Sequence, residues 1–144
     1  MSTISQRLSL LGCALVLSLA CKPVCAELVI VVARDNPLTR LDRAELADIY
    51  LGRLSRFPDG GRAVPIDQRE GAAARDEFYS DYLGQSPAQI KAHWSKLIFT
   101  GRGQPPRSLP NGPAMVEFVA GNPEAIGYVD SQHINSDVRI VSID

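Results

Sequence analysis

Apolar positions along the chain alternate between unbroken short runs and runs with helical spacing. Leu28-Val29-Ile30-Val31-Val32-Ala33 is a continuous, largely β-branched stretch of strand length, the pattern of a strand covered on both faces. Asn36-Pro37 turns the chain, and Asp42-Arg43-Ala44-Glu45 has the form of a capping box. Leu46, Ile49 and Tyr50 then follow at helical spacing, with Gly52 as the stop. After the turn cluster Phe57-Pro58-Asp59-Gly60-Gly61, Ala63-Val64-Pro65-Ile66-Asp67 predicts a second strand, and Pro65 favours an edge or a strand end. Gly71 is expected to open a helix that runs from Ala72 to Leu83, places Phe78 and Tyr82 on one face, and ends at Gly84.

Ser86-Pro87-Ala88-Gln89 combines a serine cap, proline at the first helical position and glutamine at the third. The helix it starts would bury Ile90, Trp94, Leu97 and Ile98 and close at Gly101. Glycine and proline punctuate the chain from Gly101 to Pro113, which reads as loop. A short helix with Met115, Phe118 and Val119 inward ends near Gly121, and Ile126–Val129 and Val138–Ile143 read as the last strands. Alternating strands and helices define an α/β class. The expected core gathers Ile30, Val32, Leu46, Ile49, Phe78, Tyr82, Ile90, Trp94, Leu97, Ile98, Phe118 and Ile126 into one cluster.

Composition changes the picture at the N-terminus. Residues 1–26 hold no carboxylate, only Arg7 and Lys22 as cations, and an apolar stretch from Leu8 to Ala20 ahead of Val24-Cys25-Ala26. That is the layout of a secretory signal peptide, cleaved after Ala26, and the stretch is short of the roughly 20 residues a membrane span needs. Lipidation at Cys21 is the alternative processing. Setting Arg7 and Lys22 aside leaves 13 of the 15 cations against all 16 anions, a net charge of −3 on residues 27–144. All three cysteines, Cys13, Cys21 and Cys25, lie in the leader, so the exported product is expected to carry neither disulfide nor thiolate chemistry. Residues 27–144 suffice for one domain. The mildly acidic balance lacks the basic stripe that nucleic acid would require.

Catalytic patterns are sparse. His93 and His133 are the only imidazoles, and neither a G-x-S-x-G elbow nor a phosphate-cradling G-x-x-x-x-G-K-[ST] loop occurs, so no enzyme, cofactor or metal is expected. One constellation remains, Asp67-Gln68-Arg69-Glu70-Gly71-Ala72-Ala73-Ala74-Arg75, a strand end that feeds a glycine-led helix start between two arginines. Free N–H groups and the positive dipole end at such a start attract an anion, and Arg69 and Arg75 could add charge-assisted bonds. The competing reading has Glu70 and Asp76 neutralise the arginines while water caps the helix.

The stretch Leu46 to Val129 resembles the phosphate-binding proteins of bacterial ABC importers, within the type II periplasmic binding protein superfamily. The resemblance is carried by Ala47-Asp48-Ile49-Tyr50-Leu51-Gly52 with Phe57-Pro58-Asp59-Gly60, by Gly71-Ala72-Ala73-Ala74-Arg75-Asp76-Glu77-Phe78 where that family has G-S-G-T-R-x-x-F, and by Pro123-Glu124-Ala125-Ile126-Gly127-Tyr128-Val129. Ser86 to Gly101 and Gly103 to Pro106 are also similar to a set of short exported proteins described as phosphate-transporter substrate-binding proteins. The resemblance implies a single lobe of the binding-protein fold, with a small mixed sheet flanked by about four helices. It further implies a periplasmic, non-catalytic binding component for phosphate or another small oxyanion.

Ligand contacts would then come from Arg69, Gly71, Ala72, Ala73 and Arg75, the alanines through their backbone, with Arg102 and Arg107 as lower-ranked candidates. Ala72 and Ala74 stand where the family has hydroxyl residues, and each lost hydroxyl bond would weaken an anion by roughly 1.5 to 3 kcal/mol. One lobe also encloses less than a two-lobed clamshell. Binding is therefore expected to be weak. The alternative is an accessory module that kept the lobe, lost the ligand and docks a membrane transporter or another periplasmic protein. Two chains facing each other as a homodimer would rebuild a closed cleft.

Overall fold

A computed structural model describes residues 26–144, so the expected signal peptide, apart from Ala26, and its three cysteines lie outside the described residues. Six strands form one mixed sheet in the order β2-β6-β1-β5-β3-β4. β1 (Leu28–Ala33) lies near its middle, antiparallel to β5 (Ala125–Asp130) on one side and to β6 (Val138–Ile143) on the other. β3 (Val64–Gln68) runs parallel to β5 and to β4 (Arg107–Leu109), and the two-residue β2 (Arg40–Leu41) runs parallel to β6.

Both faces of β1 are covered, as its uninterrupted apolar run predicts. Ile30 and Val32 point into a cluster with Leu46, Ile49 and Tyr50 of α1 (Arg43–Tyr50), Phe78 of α2 (Ala73–Phe78), and Ile90 and Trp94 of α3 (Pro87–Phe99). Val31 points the other way, into a cluster with Met115, Val116 and Val119 of α4 (Gly112–Ala120). The sheet thus divides the interior into two cores, where the apolar pattern had implied one. Each fully buried large side chain contributes on the order of 1.5–3 kcal/mol, so both clusters are substantial. Gly127 of β5 sits under α4 because a Cβ there would lie 2.5 Å from the Met115 sulfur.

Local signals locate the helix boundaries well. Both capping boxes form, Asp42 with Glu45 and Ser86 with Gln89, and the stops Gly52, Gly84 and Gly101 all have positive φ. The second helix stops at Gly84 as expected but differs at its start and in the geometry of its second half. Gly71, at φ +85°, makes the turn that precedes it, with Ala72 as N-cap, and beyond Phe78 the chain widens into a π turn over Tyr79–Leu83.

Pro65 sits at a strand end, one of the two places expected for it: only β5 is paired there, and β4 flanks the rest of β3. Other expectations need correction where long-range pairing prevails. The glycine- and proline-rich segment contains β4, which has only three residues and owes its form to β3. Ile98, expected in the core, is 51% exposed near the end of α3, while Tyr82 and Leu97 are half-buried and pack on the first core. Phe118 is also half-buried, and it packs on the second core. Among the described residues no helix is long and apolar enough to cross a membrane.

Candidate functional site

The end of β3 and the starts of α2 and α4 meet at a cleft of about 260 Å³ lined by Gln68, Arg69, Ala72, Ala73, Ala74, Pro110, Asn111, Gly112, Asp130 and His133. On the α2 side, Ala72 supplies no side-chain cap, and its own N–H turns back to the Arg69 carbonyl at 3.1 Å. A helix leaves its first N–H groups without intrahelical acceptors, so those of Ala73 and Ala74 remain for an outside partner. On the α4 side, the Asn111 side chain accepts from the Ala114 N–H at 2.9 Å, leaving its amide NH₂ as a donor. Gly112 lets the backbone pass close to His133, whose ring carbon would be 2.7 Å from a Cβ at that position. Two positive dipole ends and the Arg69 side chain therefore border one cleft. Asp130 opposes them, and its Oδ1 is buried without a hydrogen-bond partner among the described residues.

Behind α2 lies a buried polar network. Asp67, at the end of β3, accepts from the Tyr79 hydroxyl at 2.7 Å, from the Tyr128 hydroxyl, from the Gln68 N–H at 2.8 Å and from Arg75 Nε at 3.4 Å. The Arg75 guanidinium also lies over the Tyr79 ring, 5.1 Å from its centroid. Burial pushes the Tyr79 and Tyr128 hydroxyls well above their ordinary range, and the charge of Asp67 pushes in the same direction, so both remain neutral donors. For Arg75, burial favours the uncharged form and is the largest single effect, but Asp67, through its charge and its hydrogen bond, together with Tyr79 and Tyr128 outweighs it and holds the guanidinium above its ordinary value. Tyr50, whose hydroxyl is raised by burial and then by Asp67, shares its one proton between the carbonyls of Ile66 and Ile126, at 2.9 and 3.1 Å, and ties β3 to β5.

The sequence-predicted residues separate accordingly. Arg69, Ala72 and Ala73 line the cleft, and Gly71 forms the adjoining turn. Arg75 does not line it; Arg75 pairs with Asp67 and borders a different hollow with Glu70, Trp94 and Ile98. Arg102 is exposed past the end of α3, and Arg107 on β4 lies over the Phe118 ring at 4.8 Å, so neither reaches the cleft. Asn111, Asp130 and His133 are cleft residues that sequence reasoning missed. Asn111 did carry a signal, an Asn-Gly-Pro cap ahead of an apolar helix. His93 hydrogen-bonds through Nε2 to the Leu51 carbonyl at 2.9 Å. Among the described residues no group of three or more His, Cys, Asp or Glu is placed to hold a metal.

The fold is similar to part of several solved structures described as phosphate transport or phosphate-binding proteins. The fold matches an ABC-type phosphate transport receptor from Vibrio cholerae with a TM-score of 0.65 and 20% identity, over 82% of this chain and 46% of that one. It also matches a putative phosphate ABC transporter substrate-binding protein with bound phosphate from Clostridium perfringens, with a TM-score of 0.63 and 19% identity over 83% and 45% of the two chains. PstS from Borrelia burgdorferi gives a TM-score of 0.63 at 13% identity, over 83% and 47%. The chain thus spans less than half the length of the solved structures it matches. No family model and no curated protein matches it.

Proposed function

We propose that the chain is an exported, non-catalytic binding component that captures phosphate or a related oxyanion weakly in the cleft between the starts of α2 and α4. The observation that carries this reading is the convergence of Arg69, the Ala73 and Ala74 N–H groups and the Asn111 amide on one cleft. The fold shared with phosphate transport receptors supports it. Without hydroxyls at Ala72 and Ala74, and with Arg75 committed to Asp67, the affinity is expected to fall between about 10 μM and 1 mM. Calorimetric titration with phosphate, sulfate and small carboxylates tests this reading. Nanomolar binding that survives Arg69→Ala would place the ligand elsewhere, and silence toward every anion would remove the ligand altogether. Export follows from the N-terminal pattern and is tested by intact mass, with a chain beginning at Glu27 as the expected product and a lipid-modified Cys21 as the contrary one.

A second reading, an accessory module that docks another protein and holds no anion, draws on different residues. Phe99 is 92% exposed at the end of α3, next to the half-exposed Ile98, and Asp130 sets a carboxylate against any anion entering the cleft. Under this reading the restored variant Ala72→Ser/Ala74→Thr binds no phosphate either, which separates it from the first.

A further inference from the structure

His133 lines the cleft between the starts of α2 and α4 together with Arg69, Asn111 and Asp130. It closes the short 3-10 turn after β5 (Ser131–His133), whose N-cap is Asp130. Its ring stands against Gly112, the first residue of α4: a Cβ built there would lie 2.7 Å from the ring Cδ2 and 3.2 Å from Nε2. The Nε2 edge thus lies at the end of α4 that carries the positive dipole. Among the described residues neither ring nitrogen has a hydrogen-bond partner, and no carboxylate comes within ion-pair distance. The chain's other imidazole, His93, is held by the Leu51 carbonyl and lies outside the cleft.

On its other side His133 borders a second hollow, with Glu117 of α4, Asn135 and Asp137. The charged groups around the ring are therefore Arg69 from the end of β3, Asp130 from its own turn, Glu117 from α4 and Asp137 from the segment before β6. Arg69 and the start of α4 oppose a proton on the imidazole, whereas the three carboxylates favour one. An anion in the cleft offsets the two opposing groups and so favours the imidazolium.

We infer that His133 is the pH-sensitive contact of this cleft: as imidazolium it donates to a bound oxyanion, and capture tightens as the pH falls. This role rests on oxyanion capture between α2 and α4, the function proposed for the chain, and adds a regulation to it. Imidazole is the one side chain that ordinarily changes charge between about pH 5 and 8. Arg69 supplies no such dependence, since a guanidinium keeps its charge throughout. The effect is reciprocal: if the proton tightens the anion fivefold, the anion raises the imidazole midpoint by about 0.7 pH unit. A purely structural wedge between the turn and α4 would show neither.

The test is an NMR titration of both imidazoles in the purified protein, with and without excess phosphate or sulfate at fixed ionic strength. Backbone amides of Arg69, Ala73 and Ala74 report anion binding in the same samples. The His133 midpoint is expected to rise by about half a pH unit or more, while that of His93 stays in place. Sulfate keeps its charge over this range, so its affinity is the cleaner measure and is expected to rise at least fivefold from about pH 8 to pH 5.5. His133→Gln is expected to reduce that rise to less than twofold; the ring midpoints decide the matter without a variant. Shifts at the cleft amides with an unmoved His133 midpoint would overturn this role and leave anion capture standing. A pH dependence kept in His133→Gln would overturn it in favour of Asp130, and amides indifferent to both anions would remove the capture and the role together.

Discussion

Arg75 Nε lies 3.4 Å from Asp67 Oδ2, with both side chains largely withdrawn from solvent, so the arginine expected to hold an anion instead holds a strand to a helix. The two arginines of the motif should separate experimentally. Arg75→Ala leaves a buried carboxylate with only the neutral donors Tyr79, Tyr128 and the Gln68 N–H and is expected to cost about 1–3 kcal/mol in denaturant unfolding, the penalty of an unmade charged bond. Arg69→Ala, at an exposed position on the cleft, is expected to cost under about 0.5 kcal/mol in stability yet weaken phosphate at least fivefold. An inverted pattern, with binding lost only in Arg75→Ala, would move the site to the other side of α2.

Ala72 occupies an N-cap with no side chain able to cap it. Ala72→Ser should therefore stabilise the protein by about 0.5–2 kcal/mol whether or not an anion is present. Adding Ala74→Thr should then tighten phosphate at least tenfold, read by calorimetry at fixed ionic strength. A gain in stability without a gain in affinity would favour the accessory-module reading.

Asp130 bears on ligand choice. Its Oδ1 has no donor among the described residues, and a monohydrogen phosphate carries a proton that sulfate lacks. Phosphate is expected to outbind sulfate by about tenfold or more at pH 7, a factor equal to one modest hydrogen bond of about 1.4 kcal/mol. Asp130→Asn should narrow that preference; if sulfate and phosphate bind equally to the native protein, Asp130 does not face the ligand.

All four tyrosines, Tyr50, Tyr79, Tyr82 and Tyr128, have their hydroxyls raised above the ordinary range, with burial as the first cause in each. A raised folded-state value means that the stabilising contribution is complete below the unfolded tyrosine value near pH 10 and declines as the pH rises past it, since the unfolded chain then releases protons that the folded one retains. Denaturation midpoints should fall progressively above about pH 10. Absorbance at 295 nm should stay nearly flat through that pH and rise in one step with unfolding; an ordinary titration at pH 10 in the folded protein would contradict the buried network.

Trp94 packs its six-membered ring against Gly52, where a Cβ would lie 3.0 Å from the ring, and joins α3 to the first core. Trp94→Ala is expected to cost about 3–5 kcal/mol. A loss below about 1 kcal/mol with the fold retained would mean that α3 packs only loosely on the sheet.

What was legible in the sequence was local. The β1 run, the capping boxes at Asp42 and Ser86, and the glycine stops each depend on a few neighbouring residues, and each appears where the pattern put it. What was not legible depends on partners distant in sequence. β4 has too few residues to announce itself and forms because Ile66, Asp67 and Gln68 lie alongside. Arg75 looked available because its acceptor stands eight residues back, fixed by a Tyr128 hydroxyl sixty-one residues from Asp67. Ile98 fits the helical spacing of its neighbours, but it is half-exposed and borders a surface hollow with Trp94 and Arg75.

The placement of β1 sets an order of events for the chain as it is made. Its two neighbours in the sheet are the last two strands in sequence, so residues 28–33 wait for residues 125–143 before either edge of the strand can be paired. Contacts of such long sequence separation are slow to form and cannot form at all on a nascent chain whose final strands have not emerged. Until then the most apolar stretch of the described chain is exposed, a state in which a holding chaperone or a transport channel would find it unfolded. A chain truncated at Ser136 should therefore fail to fold as a whole, not merely lose an edge.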